Sequence, residues 1–435
     1  MPTLTARLSI FQRAGVMVTL ASALLLSGWM APKGAIAAET DFVLNSRCPA
    51  SFSADADGGC VLNNRYRQYR SLQNKGVGGL KTGLPPLREG FTPAQIDLGR
   101  YLFFDPILSM DGTVSCGSCH DPALAFSDGQ AQATGIGGQT LPRSAPSLWN
   151  VGFLSTLLWD GAQSTLEAQM QGPLYSPIEM GNNPANLLAT LNGNRTYQNL
   201  FAQAFGQSAI TLDNVYTAIT AFESSLISLN SRYDLYAHGY HAALTEDEKA
   251  GLNVFRSFVA RCAECHTPPL FTNQQLAVIG VADAPNVLID SGAQAITGDE
   301  SQRGAFRVPS LRNVVRTAPY MHRGQKATLA EAARFYTGGR GHEVPEGDSL
   351  MIHWHIWEPK LTEREIDLLT GFMGTLTDEA FMPAIPDRVP SGLPVTRASK
   401  TPRAPAGTLV HNIATPALQQ HQSSQVNELP GGNTP

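Results

Sequence analysis

The sequence predicts a mainly α fold of two tandem domains with long ordered loops, and three observations predict it. Cys116-Gly-Ser-Cys119-His120 and Cys262-Ala-Glu-Cys265-His266 are two copies of the form C-x-x-C-H. Each copy lies behind a stretch with a helix N-terminal signature and ahead of a Pro and a Phe, Pro122 and Phe126 in one case, Pro268 and Phe271 in the other. The 435 residues include 40 Gly and 29 Pro, which cut the chain into short elements with long connections. C-x-x-C-H is the spacing of covalent c-type haem attachment: two thiols add across the vinyl groups of one porphyrin, and the adjacent imidazole sits under the iron. A single copy also reads as a zinc or thiol-redox site. Two copies, each closed by His, favour a pair of cytochrome c-like haem domains holding two covalently bound haem c groups.

Taken in order, residues 1–38 read as a cleavable secretory signal. Arg7 and Arg13 give the positive start, Ala14 to Trp29 is apolar, and Ala35-Ile36-Ala37 or Ile36-Ala37-Ala38 supplies small residues for cleavage. A retained membrane anchor is the alternative. No later run of about 18 apolar residues occurs, so no membrane insertion is expected after signal cleavage. Periplasmic localisation follows, because covalent haem attachment there comes after export. The formal net charge of −5 gives no basic field for nucleic acid. Of six cysteines, four belong to the two motifs. The remaining pair, Cys48 and Cys60, is expected to form a disulfide within an irregular lead-in, residues 39–90.

Residues 91–238 form the predicted N-terminal domain. Thr92-Pro93-Ala94-Gln95 has the form of a helix start, with a Thr cap, Pro in the first turn and Gln three residues on. A helix through Leu98, Tyr101 and Leu102 is expected to end before Pro106. Asp213 to Leu229 is the longest predicted helix, with Val215, Ile219, Phe222 and Leu226 on its apolar face. Residues 239–382 form the second domain. Thr245-Glu246-Asp247-Glu248 is a capping box, followed by Ala250, Val254, Phe255 and Phe258 at helical spacing. Gly280 to Gly304 reads as loop with a short strand near Val287-Leu288-Ile289. Thr362-Glu363-Arg364-Glu365 opens a closing helix with Ile366, Leu369, Phe372 and Met373 on one side. Residues 383–435 are Pro-, Ser-, Gln- and Asn-rich and read as a disordered tail.

His120 and His266 would each fill one axial position of an iron, and the other position decides function. A strong sixth ligand gives an electron carrier; an open position gives a catalyst. After His120 no His or Met occurs until Met170, whereas Trp159-Asp160-Gly161, Gln169, Pro173 and Glu179 are available. A carboxylate above an open haem takes a proton from peroxide and returns it to the leaving oxygen. Spacing alone leaves the plainer readings open, with Trp159 a core residue and Glu179 a solvated loop charge.

From about Thr92 to Leu376 the chain resembles the bacterial di-haem cytochrome c peroxidase family, and more closely its MauG/MbnH-like branch. The resemblance rests on Leu98-Gly99-Arg100-Tyr101-Leu102-Phe103-Phe104-Asp105, the two haem motifs, Trp159-Asp160-Gly161, Ile178-Glu179-Met180, and Pro309-Ser310-Leu311-Arg312-Asn313-Val314 running into Ala318-Pro319-Tyr320-Met321-His322. It implies that Trp159 lies between the haems as a stepping stone for electrons, and that Gln169, Pro173 and Glu179 line the peroxide pocket.

Two departures from the peroxidases driven by small electron donors stand out. Those enzymes cap the N-terminal haem with a His from the loop after the first motif. Here that loop reads Ala133-Thr134-Gly135-Ile136-Gly137-Gly138-Gln139. They also place a Met seventeen residues after the Pro matched by Pro319, as sixth ligand of the C-terminal haem; the count here lands on Tyr336. The MauG-like branch uses Tyr there, a hard anionic donor that favours oxidised iron. His342, His353 and His355 are rival ligands, and His322 reads as structural. The resemblance further implies one calcium, with Thr317 and Pro319 as carbonyl ligands and Ser144 where the family has an Asn; calcium prefers oxygen donors. The branch member that matures a tryptophan-derived cofactor has a surface Trp two residues before its second motif, where this chain has Ala260. The expected function is peroxide-driven oxidation of a Trp or Tyr on a periplasmic partner protein. The alternatives are a cytochrome c peroxidase fed by a small cytochrome or copper protein, and a non-enzymatic di-haem electron carrier.

Overall fold

The lead-in is tied down before the first long helix begins. Cys48 and Cys60 are joined by a disulfide. It braces a short antiparallel ribbon, β1 (Phe52–Ala54) against β2 (Cys60–Leu62), which leads into a single turn, α1 (Asn64–Arg67). Tyr66 is buried and meets Phe381 edge-on at 6.0 Å, so the lead-in and the stretch after the last helix share one cluster with Ile96, Phe153 and Leu270. The computed structural model describes residues 42–67, 83–283, 289–357 and 359–398, which belong to one compact unit. The predicted signal segment and Val287-Leu288 lie outside these residues.

Side-chain caps fix most helix starts. In α2 (Pro93–Phe104) the Thr92 hydroxyl accepts the Gln95 N–H at 3.2 Å, and the Gln95 side chain accepts the Thr92 N–H at 3.0 Å. The first motif is a one-turn helix, α3 (Cys116–Cys119). Two further turns, α4 (Leu166–Gln169) and α5 (Gln171–Tyr175), carry the chain toward Glu179. Next come α6 (Pro184–Asn192) and α7 (Arg195–Phe205), which the sequence reading did not anticipate; they are capped by Asn183 and Asn194. The predicted long helix is α8 (Leu212–Ser224), five residues shorter at its C-terminus than Leu229. After α9 (Arg232–Ala237), α10 (Glu246–Phe255) starts at the Thr245 capping box. It stops before Phe258, which is 72% exposed rather than on the apolar face. The second motif is α11 (Cys262–Cys265). A second ribbon pairs β3 (Leu276–Val278) with β4 (Ala305–Arg307) around α12 (Gln294–Thr297). The strands therefore lie on either side of the position near Ile289 where one was expected. The chain closes with α13 (Leu329–Phe335) and α14 (Glu363–Gly374), both starting at capping boxes.

Two helix pairs organise two apolar cores. In the first, α2 crosses α8, and the core holds Leu98, Leu102, Phe103, Phe104 and Phe222. In the second, α10 crosses α14 over Leu252, Phe255, Phe271, Ile366 and Phe372. Both crossings are glycine contacts. A Cβ on Gly99 would lie 1.8 Å from the Ala218 carbonyl oxygen, and one on Gly251 would lie 2.0 Å from that of Leu368.

The expectation of a disordered tail needs correction for residues 383–398. Val389 is fully buried in the first core, and Ile385 and Val395 pack on it. Ser391 donates its hydroxyl to the buried Asp105 carboxylate at 2.6 Å. Proline-rich composition hid this segment because it packs as irregular chain with a turn at Val389–Gly392, without a helical or strand period. Residues 399–435 lie outside the described residues.

Candidate functional site: two haem-attachment motifs and the residues between them

Each motif is presented by one helical turn held against a core. In α3 the His120 N–H closes the turn on the Cys116 carbonyl at 2.9 Å. Gly117 is needed for the fit, because a Cβ there would lie 2.6 Å from the Phe104 ring. The His120 Nδ1 sits 2.9 Å from the Phe126 carbonyl oxygen, and the His266 Nδ1 sits 3.0 Å from that of Pro309 and 3.2 Å from that of Phe271. A carbonyl can only accept, so in each ring Nδ1 carries the proton and Nε2 keeps its lone pair. Burial pushes both imidazoles toward the neutral form a metal ligand requires. The four motif thiols are not joined in disulfides. Burial raises all four, Cys119 and Cys262 to about 12, so they stay protonated. A free thiol pair one turn apart beside an imidazole with a spare Nε2 fits one haem c at each motif.

Near the first motif, Cys119 and Ile178 pack on the same small cluster, Ala133, Leu141 and Ala145. That contact brings Glu179 beside the motif, where its charge bears on Cys119. Burial raises the Glu179 carboxyl above its ordinary range, against a hydrogen bond from Ser176 that lowers it. The Glu179 carbonyl accepts the Ile136 N–H at 2.7 Å, and the Met180 N–H reaches the Pro173 carbonyl at 3.1 Å. Gln169 ends α4 and is half-buried. The loop Ala133–Gln139 lies directly on this segment. A Cβ on Gly135 would fall 2.0 Å from the Ile178 carbonyl oxygen, so the loop can present no side chain there.

The second motif opens into a large cavity lined by Cys262, Cys265, His266, Tyr336, Trp159 and Arg307, among others. Tyr336 is half-buried, and its phenol is pushed far up by loss of water around it and by the two motif cysteines. Of the rival ligands, His353 and His355 line the cavity and His342 does not. His355 holds Glu264 at 2.9 Å, and the His342 Nδ1 holds the Gly339 carbonyl at 2.8 Å.

Trp159 joins the two halves. Its indole N–H donates to the Ser144 carbonyl at 2.9 Å, and its own carbonyl accepts the Arg307 N–H at 2.7 Å. The cavity reaches past it to Ser127, Ala145 and Pro146, which flank the first motif. His322 stacks on Phe306 at 4.0 Å and pairs with Asp283 at 3.0 Å, in keeping with a structural part. Thr317, Pro319 and Ser144 border this same cavity. The Ser144 hydroxyl is committed to the Met321 and His322 carbonyls at 3.3 Å each. Among the described residues no group of three or more His, Cys, Asp or Glu side chains is placed to hold a metal ion.

Residues 93–242 match the family model for di-haem cytochrome c peroxidase. MauG, a methylamine utilization protein of Methylorubrum extorquens, is 33% identical over 337 residues, 76% of this chain and 90% of that one. The chain belongs to the di-haem cytochrome c peroxidase family. A cytochrome c551 peroxidase of Nitrosomonas europaea is 34% identical over 55% of this chain and 73% of that protein. The crystal structure of a MauG-like protein associated with microbial copper homeostasis superposes with a TM-score of 0.64 at 36% identity, covering 72% of this chain and 99% of that one. Membership makes this chain a peroxidase-type oxidoreductase carrying two haem c groups, with hydrogen peroxide and either a protein substrate or an electron donor as its reactants.

Sequence reasoning missed three features of the site. Asp128, raised by burial to about 6, has an unpartnered Oδ2 close enough to Cys119 to bear on it. Glu223, raised to about 8, likewise bears on Cys116 from α8. Neither had a spacing signal, since burial of a lone acid is set by tertiary packing. The third is an aromatic cluster around Arg261, whose members are far apart in sequence.

Proposed function

We propose that the chain uses hydrogen peroxide to oxidise a Trp or Tyr residue of a partner protein in the periplasm, in the manner of the MauG-like members of its family. Tyr336 carries the reading: it lines the cavity of the second motif together with His266, at the sequence position where the donor-driven peroxidases keep a soft thioether. A phenolate is a hard anionic donor, so this site disfavours a stable ferrous reservoir and favours sharing of oxidising equivalents.

Haem, when bound, supplies at His120 an iron open to peroxide and at His266 a second redox centre. The chain's own residues handle protons and position. Glu179, poised by burial, takes the proton from the peroxide oxygen near the first motif and returns it to the departing oxygen as water. Gln169 and Pro173 shape the pocket on the same side, and the glycine-rich loop at 133–139 leaves it open. Trp159, hydrogen-bonded to both halves, passes electrons between them. We further propose one calcium held by the carbonyls of Thr317 and Pro319, with water in place of the Asn side chain, since the Ser144 hydroxyl is otherwise engaged; metal analysis of the purified protein before and after chelation tests it. Among the described residues no helix is long and apolar enough to cross a membrane.

The test is the resting spectrum and a single turnover. Electron paramagnetic resonance should show one high-spin haem at rest, and one equivalent of peroxide should be consumed without prior reduction. Two low-spin centres and no reaction until an electron is supplied would favour the donor-driven peroxidase instead.

A further inference from the structure

Four large apolar side chains crowd one face beside the second motif: Phe258, Val259, Trp354 and Trp357, with Phe258 and Trp354 72% and 65% exposed. An exposed apolar cluster of this kind marks a contact surface. It is also built rather than loose. The Trp357 indole N–H donates to the Val259 carbonyl at 3.2 Å, and Phe258 meets the Trp357 ring edge-on at 5.6 Å. The Arg261 guanidinium lies 4.8 Å from the Phe258 ring, 5.0 Å from Trp357 and 5.6 Å from Trp354. Glu264 neutralises that cation at 2.9 Å and holds His355 by its other oxygen at 2.9 Å.

One member of the cluster faces both ways. Trp357 is 39% exposed, and it also lines the cavity that contains His266, Cys262 and Tyr336. It thus connects the redox site to the surface by a single side chain, and an indole is among the protein groups that lose an electron at accessible potentials.

We propose that Trp357 is the surface redox relay of this chain, and that the patch of Phe258, Val259 and Trp354 around it seats an exposed Trp or Tyr of the partner protein. The proposal rests on the peroxide-driven reading above. With Arg261 internally neutralised, the patch is apolar and takes an apolar, aromatic partner surface rather than a charged one. The balance is two single-electron steps. Peroxide gains two electrons and two protons and becomes two waters. Each electron leaves the partner's ring for Trp357, which has given one inward, and the oxidised partner releases its proton to water.

Without a partner, the same relay turns on itself. Trp357 loses two electrons, takes the oxygen of one water and releases two protons, leaving a hydroxylated indole. The experiment therefore treats the holoprotein with one equivalent of hydrogen peroxide and maps oxygen addition by peptide mass spectrometry, alongside the Glu179→Gln variant as a control for direct attack by peroxide. The expected result is hydroxylation concentrated at Trp357, lower by about tenfold or more in the control, as for a step whose barrier has lost one interaction. In Trp357→Phe the label is lost from this peptide and the oxidised state, followed optically, persists longer than in the native protein. If peroxide is consumed but oxygen appears elsewhere, or Trp357→Phe decays at the native rate, the relay assignment is wrong while the proposed function stands. If the native protein consumes no peroxide at all, both fall.

Discussion

Glu179 has to accept a proton and give it back, so its environment must hold its pKa near the working pH. Burial beside the first motif raises it above the ordinary carboxylate range. A base works only when unprotonated. The rate of peroxide cleavage should therefore fall as pH drops through that raised value, and rise again above it. Glu179→Gln should slow cleavage by roughly 10²- to 10⁴-fold and remove this acid limb, as read by stopped-flow mixing across pH. A native profile flat from pH 4 to 8 would remove Glu179 from the role. At the second motif, Tyr336→Met replaces a hard donor by a soft one. The C-terminal haem should then hold its ferrous form, and the two-equivalent oxidised state seen by near-infrared or Mössbauer spectroscopy should vanish while both haems stay attached. Unchanged spectra would turn attention to His353, which shares the cavity and, unlike His355, has no carboxylate at its ring among the described residues.

At the scale of elements, the two halves repeat one joint. In each, a capped helix ahead of the motif crosses a capped helix at the end of the half, with glycine at the closest approach: Gly99 on Ala218 and Gly251 on Leu368. Phe222 and Phe372 stand one turn further along the second helix of each pair, also within reach of the glycine. The obstacle is backbone carbonyl, which cannot swing aside. Gly99→Ala or Gly251→Ala should each cost about 1–3 kcal/mol or more by overpacking, read as a lowered denaturation midpoint in the matching half. An unchanged midpoint would mean the helices can part without loss. The caps that begin α2, α10 and α14 were legible because a capping box is a local code of four residues. The motifs were legible for the same reason. What stayed hidden depends on distant partners. The strands of three residues are too short to show alternation, and α6 and α7 start from Asn caps that double as turn signals. Phe258 has helical spacing from Phe255, yet α10 ends first and leaves it on the surface.

At the scale of the whole molecule, the stretch that follows α14 returns to the first core. Having closed the second core with α14, the chain runs back across the first as an irregular strap, residues 383–398. Val389 fills the first core, Ser391 donates to Asp105, and the Arg100 side chain donates to the Ala384 carbonyl at 3.1 Å. Thr396 reaches the first motif itself: its hydroxyl meets Ser115 at 2.5 Å, and its carbonyl sits where a side chain on Gly117 would approach to 3.2 Å. Ser115 is the N-cap of α3. The segment ending at Ala398 thus holds the turn that presents Cys116, Cys119 and His120. Burying one Val contributes about 1.5–3 kcal/mol and each net hydrogen bond about 1 kcal/mol. Truncation after Met382 should therefore remove about 3–5 kcal/mol from the first half, while truncation after Ala398 keeps the strap and isolates its effect. The measurement is thermal unfolding of the holoprotein, with the high-spin resonance of the first haem recorded before heating. The strap reading expects an earlier transition and a broadened high-spin signal only in the shorter chain, with the second haem's signal unmoved. Equal midpoints and equal line shapes in the two truncations would show that α2, α8 and the covalent haem hold the first motif without it.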